Sequence, residues 1–81
     1  MVNIHVKLYA TLQKYAPEGV FAGTPFAVEV PAACTIEDLI LFLNIPESEV
    51  KVVFVNGRAQ KGQYVLHSDD TVGIFSPVGG G

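Results

Sequence analysis

The 81-residue sequence contains a single cysteine, Cys34, and no tryptophan. One thiol forms neither an internal disulfide nor a thiolate zinc site nor the four-cysteine cradle of an iron–sulfur cluster, which excludes the small ferredoxins. Charge is also sparse, at 16% of residues, and five bases against eight acids leave a net charge of −3. The bases Lys7, Lys14, Lys51, Arg58 and Lys61 form no run. The basic stripe that a phosphate backbone requires is therefore missing, and nucleic acid is not an expected partner. No stretch approaches the roughly 20 consecutive apolar residues of a membrane span. The first residues are polar at every second position, unlike the apolar core of a signal peptide, so the expectation is a cytoplasmic chain with no membrane partner. A second domain has no room, since domains usually run to about 100–150 residues.

What is present is apolar: 49% of the chain, enough for one folded core with some apolar surface left for a partner. Val2, Ile4, Val6 and Leu8 alternate with Asn3, His5 and Lys7, the period of two that marks a half-buried strand. Residues 10–16 read as a turn or two of helix ended by Pro17 and Gly19, and residues 19–24 as a loop before a second strand, 26–30. Thr35 followed by Asp38 is a capping pair. It starts a helix to about Leu43, with Ile36, Leu39, Ile40 and Leu43 as an apolar stripe widened by Leu41 and Phe42. Asn44 and Pro46 close it. Residues 52–55 form a strand apolar on both faces, with Val52 or Phe54 as helix contacts, and Asn56-Gly57 is a turn. A short edge strand over 63–66, a polar turn at 67–70 and a last strand over 71–75 complete an α+β domain: a mixed sheet with one main helix on one face.

The end of the chain is of another kind. After Phe75 comes Ser76-Pro77-Val78-Gly79-Gly80-Gly81. Proline ends sheet pairing and three glycines have no side chain to pack, so the domain is expected at residues 1–75 and a flexible tail at 76–81. Taken alone, such a tail is as consistent with a frayed terminus as with a functional one. With Leu8-Tyr9-Ala10-Thr11-Leu12, Val55-Asn56-Gly57 and Leu66-His67-Ser68-Asp69-Asp70-Thr71-Val72, it resembles the MoaD/ThiS family of ubiquitin-like sulfur carriers over nearly the whole chain. The ending is similar to the molybdopterin branch's aromatic-Pro-Pro-Val-x-Gly-Gly, with Ser76 in place of a proline. Ser68-Asp69-Asp70 replaces an acid-Gly-Asp turn, which survives because Asp tolerates the left-handed conformation.

The resemblance implies a β-grasp fold and a carrier that is a substrate rather than an enzyme. It implies that Gly81 is adenylated by an E1-like activating enzyme using ATP and then converted to a thiocarboxylate by a sulfur donor. Pro77, Val78, Gly79 and Gly80 would enter the partner's active site, and no cofactor would be bound. The implied acceptor is the large subunit of molybdopterin synthase, or an equivalent enzyme of a molybdenum or tungsten cofactor route. Thiamine or another thiolated product is the alternative within the family; a ubiquitin-like modifier joined to lysines, or a plain interaction module, lies outside it.

Tyr9 and Phe75 fall on the polar-facing sides of strands that are parallel neighbours in a β-grasp sheet. Both are expected at the root of the tail as partner-docking residues, the competing expectation being that one packs beneath the 19–24 loop. Ala59 lies at a further family contact position. Cys34 reads as a small buried apolar residue rather than a reactive thiol. His5 and His67 show no ligand pattern, Asp69 and Asp70 read as solvated, and no metal site is implied. Arg58 and Lys61 are weak candidates for steering an acidic partner.

Overall fold

A computed structural model describes residues 1–21 and 23–77. Five strands form one sheet in the order β2-β1-β5-β3-β4. They are β1 Val2–Leu8, β2 Phe26–Val30, β3 Val52–Val55, β4 Arg58–Gln60 and β5 Thr71–Phe75, with one α-helix, α1 Ile36–Phe42. Short 3₁₀ helices span Ala10–Tyr15 and Glu47–Glu49. Central β1 and β5 are parallel, and the remaining pairs are antiparallel.

Side-chain parity divides the sheet into a covered and an open face. Ile4, Val6 and Leu8 of β1, Val72 and Ile74 of β5, and Val53 and Val55 of β3 are buried together with Ile36 and Leu39 of α1. The register Val53↔Ile74 and Val55↔Val72 sends those two β3 side chains inward, so Val52 and Phe54 point to the other face. The expected contact of Val52 or Phe54 with the helix is therefore corrected to Val53 and Val55.

The helix terminates as its sequence predicts. Thr35 Oγ1 accepts from the Asp38 N–H while Asp38 Oδ2 accepts from the Thr35 N–H, a reciprocal capping box. The Ile36 and Glu37 N–H groups donate to the carbonyls of Tyr64 and Gly62, so the first three N–H groups of the helix all have partners. At the other end Asn44 is left-handed at φ 61°. The Asn44 N–H donates to the Leu41 carbonyl and the Ile45 N–H to the Ile40 carbonyl, a Schellman closure.

Two expectations need correction. Leu41 and Phe42 do not widen the stripe: they are 72% and 60% exposed. At about 100° per residue they lie roughly 150° and 110° from the centre of the stripe set by Ile36, Leu39, Ile40 and Leu43. The edge strand is Arg58–Gln60 rather than 63–66. Asn56 and Gly57 are both left-handed, at φ 52° and 86°, giving a two-residue hairpin turn that pairs Val55 with Arg58 at once. Residues 62–66 instead run past the start of α1, where Val65 makes one isolated bridge with Thr35.

Leu39 is fully buried at the centre of the helix–sheet contact. Leu39→Ala should destabilise the fold by about 2–5 kcal/mol in urea denaturation. The solvent-facing Leu41→Ala should change it by less than about 0.5 kcal/mol.

Candidate functional site: an aromatic sheet face at the root of the tail

The open face of the sheet is built from the residues that alternate with the core. Tyr9, at the end of β1, and Phe75, at the end of β5, stack with ring centroids 4.2 Å apart and planes 5° from parallel. Phe54 meets Phe75 edge-on at 5.5 Å and 81°. All three are half-buried. A ladder of three rings therefore crosses β1, β5 and β3, its apolar surface partly open to solvent.

Gly73 lies beneath the stack. A Cβ there would lie 3.3 Å from Tyr9 Cε2 and 3.6 Å from Phe75 Cε1, so the absent side chain leaves the rings room to meet over the strand. A shallow hollow of about 340 Å³ opens beside them, floored by Gly73 and rimmed by Lys7 and Thr71. Gly23, at φ +78°, approaches the far edge of Tyr9: a Cβ on it would stand 3.3 Å from Tyr9 Cε1. Tyr9 thus stacks on Phe75 and also lies against Gly23 of the 19–24 loop, the competing expectation for one of the two rings. Ala59 pairs with Phe54 across the β3–β4 ladder and is exposed, which extends this face to the edge of the sheet.

The chain leaves the sheet beside these rings. The Lys51 N–H donates to the Phe75 carbonyl at 2.7 Å, and the Tyr9 N–H to the Ile74 carbonyl at 3.2 Å. Ser76, the first residue of the expected tail, is buried, and Thr11 Oγ1 donates to its Oγ at 2.8 Å. Pro77 is exposed. Val78, Gly79, Gly80 and Gly81, to which the tail and activation roles were assigned, lie outside the described residues.

Other candidates have structural roles. Cys34 is buried, and its thiol donates to the Thr35 carbonyl at 3.4 Å. Burial first, and the nearby Asp38 carboxylate second, push its pKa up, away from the thiolate that reactivity needs. Asp70, expected to be solvated, is buried. Its carboxylate accepts from Asn56 Nδ2 at 2.9 Å and from the His67 N–H at 2.8 Å, while Asn56 Oδ1 accepts from the Thr71 N–H. This brace joins the β3–β4 hairpin to the start of β5, and a carboxylate is retained there because its hydrogen-bond partners offset the cost of burial. Asp69 is exposed and left-handed at φ 68°, the conformation required by the turn. His5, His67, Arg58 and Lys61 are exposed. Among the described residues no three His, Cys, Asp or Glu side chains cluster as a metal site, and no helix is long and apolar enough to cross a membrane.

Two features escaped the sequence. Tyr15 Oη donates to Glu49 Oε2 at 2.7 Å and Lys14 Nζ stands 3.3 Å from Glu49 Oε1, tying the two 3₁₀ helices together. The Tyr15 hydrogen bond, opposed by burial and helped by Lys14, holds the Glu49 carboxyl below the usual range, and the same bond raises the Tyr15 hydroxyl. A concavity of about 730 Å³ lies between α1 and β3–β4, floored by Ile36, Ile40, Ile45 and Val53. Glu37, Glu47, Lys51 and Lys61 also line it.

The family model described as ThiS family matches residues 6–81. The chain belongs to the ThiS family. Among solved structures, a Pyrococcus furiosus protein assigned as molybdopterin converting factor, subunit 1, is 26% identical with a TM-score of 0.72, over 95% of this chain and 99% of that one. SAMP1 from Haloferax volcanii is 26% identical with a TM-score of 0.68, over 98% and 99% of the two chains. Caldiarchaeum subterraneum ubiquitin shares the fold at 17% identity and a TM-score of 0.59, over 99% and 98%. No curated protein matches the sequence. As a ThiS family member with a ubiquitin-like fold, the chain is of the sulfur-carrier type, and such carriers generally work with E1-like activating enzymes and acceptor enzymes.

The ring ladder contributes less to folding than the covered face. Phe75→Ala removes one stacked and one edge-on contact, so it should lower stability by about 1–2 kcal/mol in the same denaturant titration, less than Leu39→Ala.

Proposed function

We propose that this protein is a sulfur carrier whose Gly81 carboxylate is activated and converted to a thiocarboxylate, delivering sulfur for a pterin-dithiolene cofactor of molybdenum or tungsten. The observation that carries the proposal is the stacked Tyr9–Phe75 pair at the point where a glycine-ended tail leaves the sheet. It offers a docking surface from which a terminal carboxylate reaches another protein's active site. The likeness to the Pyrococcus furiosus molybdopterin converting factor subunit favours this branch over thiamine.

The chemistry asks little of the carrier. A carboxylate is a poor electrophile. Its oxygen attacks the α-phosphorus of ATP in the activating enzyme, pyrophosphate leaves, and a sulfide-level donor then displaces AMP from the acyl adenylate to leave the thiocarboxylate. Gly79, Gly80 and Gly81 suit the approach because no Cβ shields the reacting carbonyl or widens the chain. The partner supplies catalysis and ATP, and this chain supplies the electrophile and the docking face of Tyr9, Phe75 and Ala59. Acceptance by a molybdopterin synthase large subunit completes the transfer. The likeness to SAMP1 favours a second reading, a modifier joined through Gly81 to target lysines.

Incubation with the activating enzyme of its own organism, ATP and a sulfide donor should replace one carboxylate oxygen by sulfur, read by intact mass. Deleting Gly81 should abolish the product without lowering stability, since no described core residue lies past Ser76. Phe75→Ala should weaken binding to that enzyme by about tenfold or more, because aromatic anchors dominate docking energies. Absence of any adenylate would reject the carrier reading. A lysine conjugate formed without a thiocarboxylate would replace it by the modifier reading.

A further inference from the structure

Residues 9–11 hold residues 74–76 at three successive points. The Tyr9 N–H donates to the Ile74 carbonyl, continuing the β1–β5 ladder one step past its last strand pair. The Tyr9 ring stacks on Phe75. Thr11 Oγ1 then donates to Ser76 Oγ at 2.8 Å, across 65 residues of sequence. The third point depends on a costly local conformation. Ala10, between Tyr9 and Thr11, is left-handed at φ 53°, which an alanine adopts only at a penalty of about 1–2 kcal/mol. That kink turns the chain from β1 into the 3₁₀ helix and sets Thr11 against the root of the tail. The helix is in turn tied down at its far end by Lys14 and Tyr15 on Glu49.

From this geometry we infer that Thr11 is a positioning residue: its hydroxyl tethers Ser76 at the root of the tail. The inference rests on the carrier reading for its catalytic consequence, because what is positioned is the route of the Gly81 carboxylate. Ser76 stands where the family's ending has a proline, whose ring would fix the backbone by itself. A serine has no such restriction. The hydrogen bond to Thr11 supplies by side-chain contact the order that a proline ring supplies covalently. Removing the Thr11 hydroxyl takes away one of the contacts that hold Ser76 at the root of the tail. The docking rings are untouched, so the loss falls on presentation of the carboxylate and not on binding.

The test compares the full-length protein with Thr11→Val, Thr11→Ser, Ser76→Ala and the Thr11→Val/Ser76→Ala double variant. The readouts are pyrophosphate release by the activating enzyme with ATP, and backbone ¹⁵N relaxation at the Ser76 amide. Thr11→Val should lower kcat about two- to tenfold with KM unchanged, the range that one net hydrogen bond allows. It should also raise the picosecond-to-nanosecond mobility of Ser76. Thr11→Ser, which keeps the hydroxyl, should restore both, and adding Thr11→Val to Ser76→Ala should lower kcat no further. Unchanged Ser76 relaxation in Thr11→Val overturns the tether. Altered relaxation with unchanged kcat overturns its role in positioning, as does a rise in KM alone. If the wild-type protein releases no pyrophosphate, the carrier reading fails together with the positioning role, while the relaxation data still decide whether the tether exists.

Discussion

Parallel pairing of β1 with β5 at the centre of the sheet decides where everything else in this molecule can be. Parallel strands end on the same side. The segment that follows β1 and the segment that follows β5 therefore emerge together, and residues 9–11 meet residues 74–76 although 65 positions separate Thr11 from Ser76. Tyr9 on Phe75 and Thr11 on Ser76 are consequences of that one pairing. So is the register that sends Val72 and Ile74 into the core while Gly73 and Phe75 face outward.

The two faces of the sheet divide the work. The covered face holds the buried aliphatic side chains against α1 and supplies the stability of a small domain. The open face carries three aromatic rings, one lysine and a glycine on which a side chain would press against two of the rings. Rings at the ends of strands can be presented without weakening the core. On the proposed reading, the protein needs such a face and a well-placed exit more than it needs a pocket of its own. The large concavity between α1 and β3–β4 belongs to neither, and its charged rim of Glu37, Glu47, Lys51 and Lys61 is mixed in sign.

Local signals were legible in the sequence where they act over a few residues. The period of two in Val2–Leu8, the Thr35/Asp38 capping box, the left-handed stop at Asn44 and the left-handed Asp69 all appear in the structure as their residue types require. So does the placement of Tyr9 and Phe75 on the uncovered face, which follows from the family resemblance and its parallel central strands; their stacking does not follow from it. Features set by pairing across the chain were not legible. A run of four apolar residues, Val52–Val55, is silent about which pair faces inward until Ile74 and Val72 fix the register. The edge strand was misplaced because the tight Asn56-Gly57 turn returns the chain immediately, while the more strand-like residues 63–66 are drawn to the helix start. Asp70 looked solvated because nothing near it in sequence reveals Asn56 as its partner 14 residues away. Leu41 and Phe42 looked buried on hydrophobicity alone, against their angular position on a seven-residue helix.

The central claim is that the open sheet face, and not the groove beside the helix, meets the activating enzyme. Amide chemical-shift mapping of the isotopically labelled protein titrated with that enzyme tests it directly. The account predicts the largest perturbations at Lys7, Tyr9, Phe54, Gly73 and Phe75, with Ile36, Ile40 and Ile45 near their free positions. A footprint centred on α1 and β4, with the aromatic face unchanged, would contradict it.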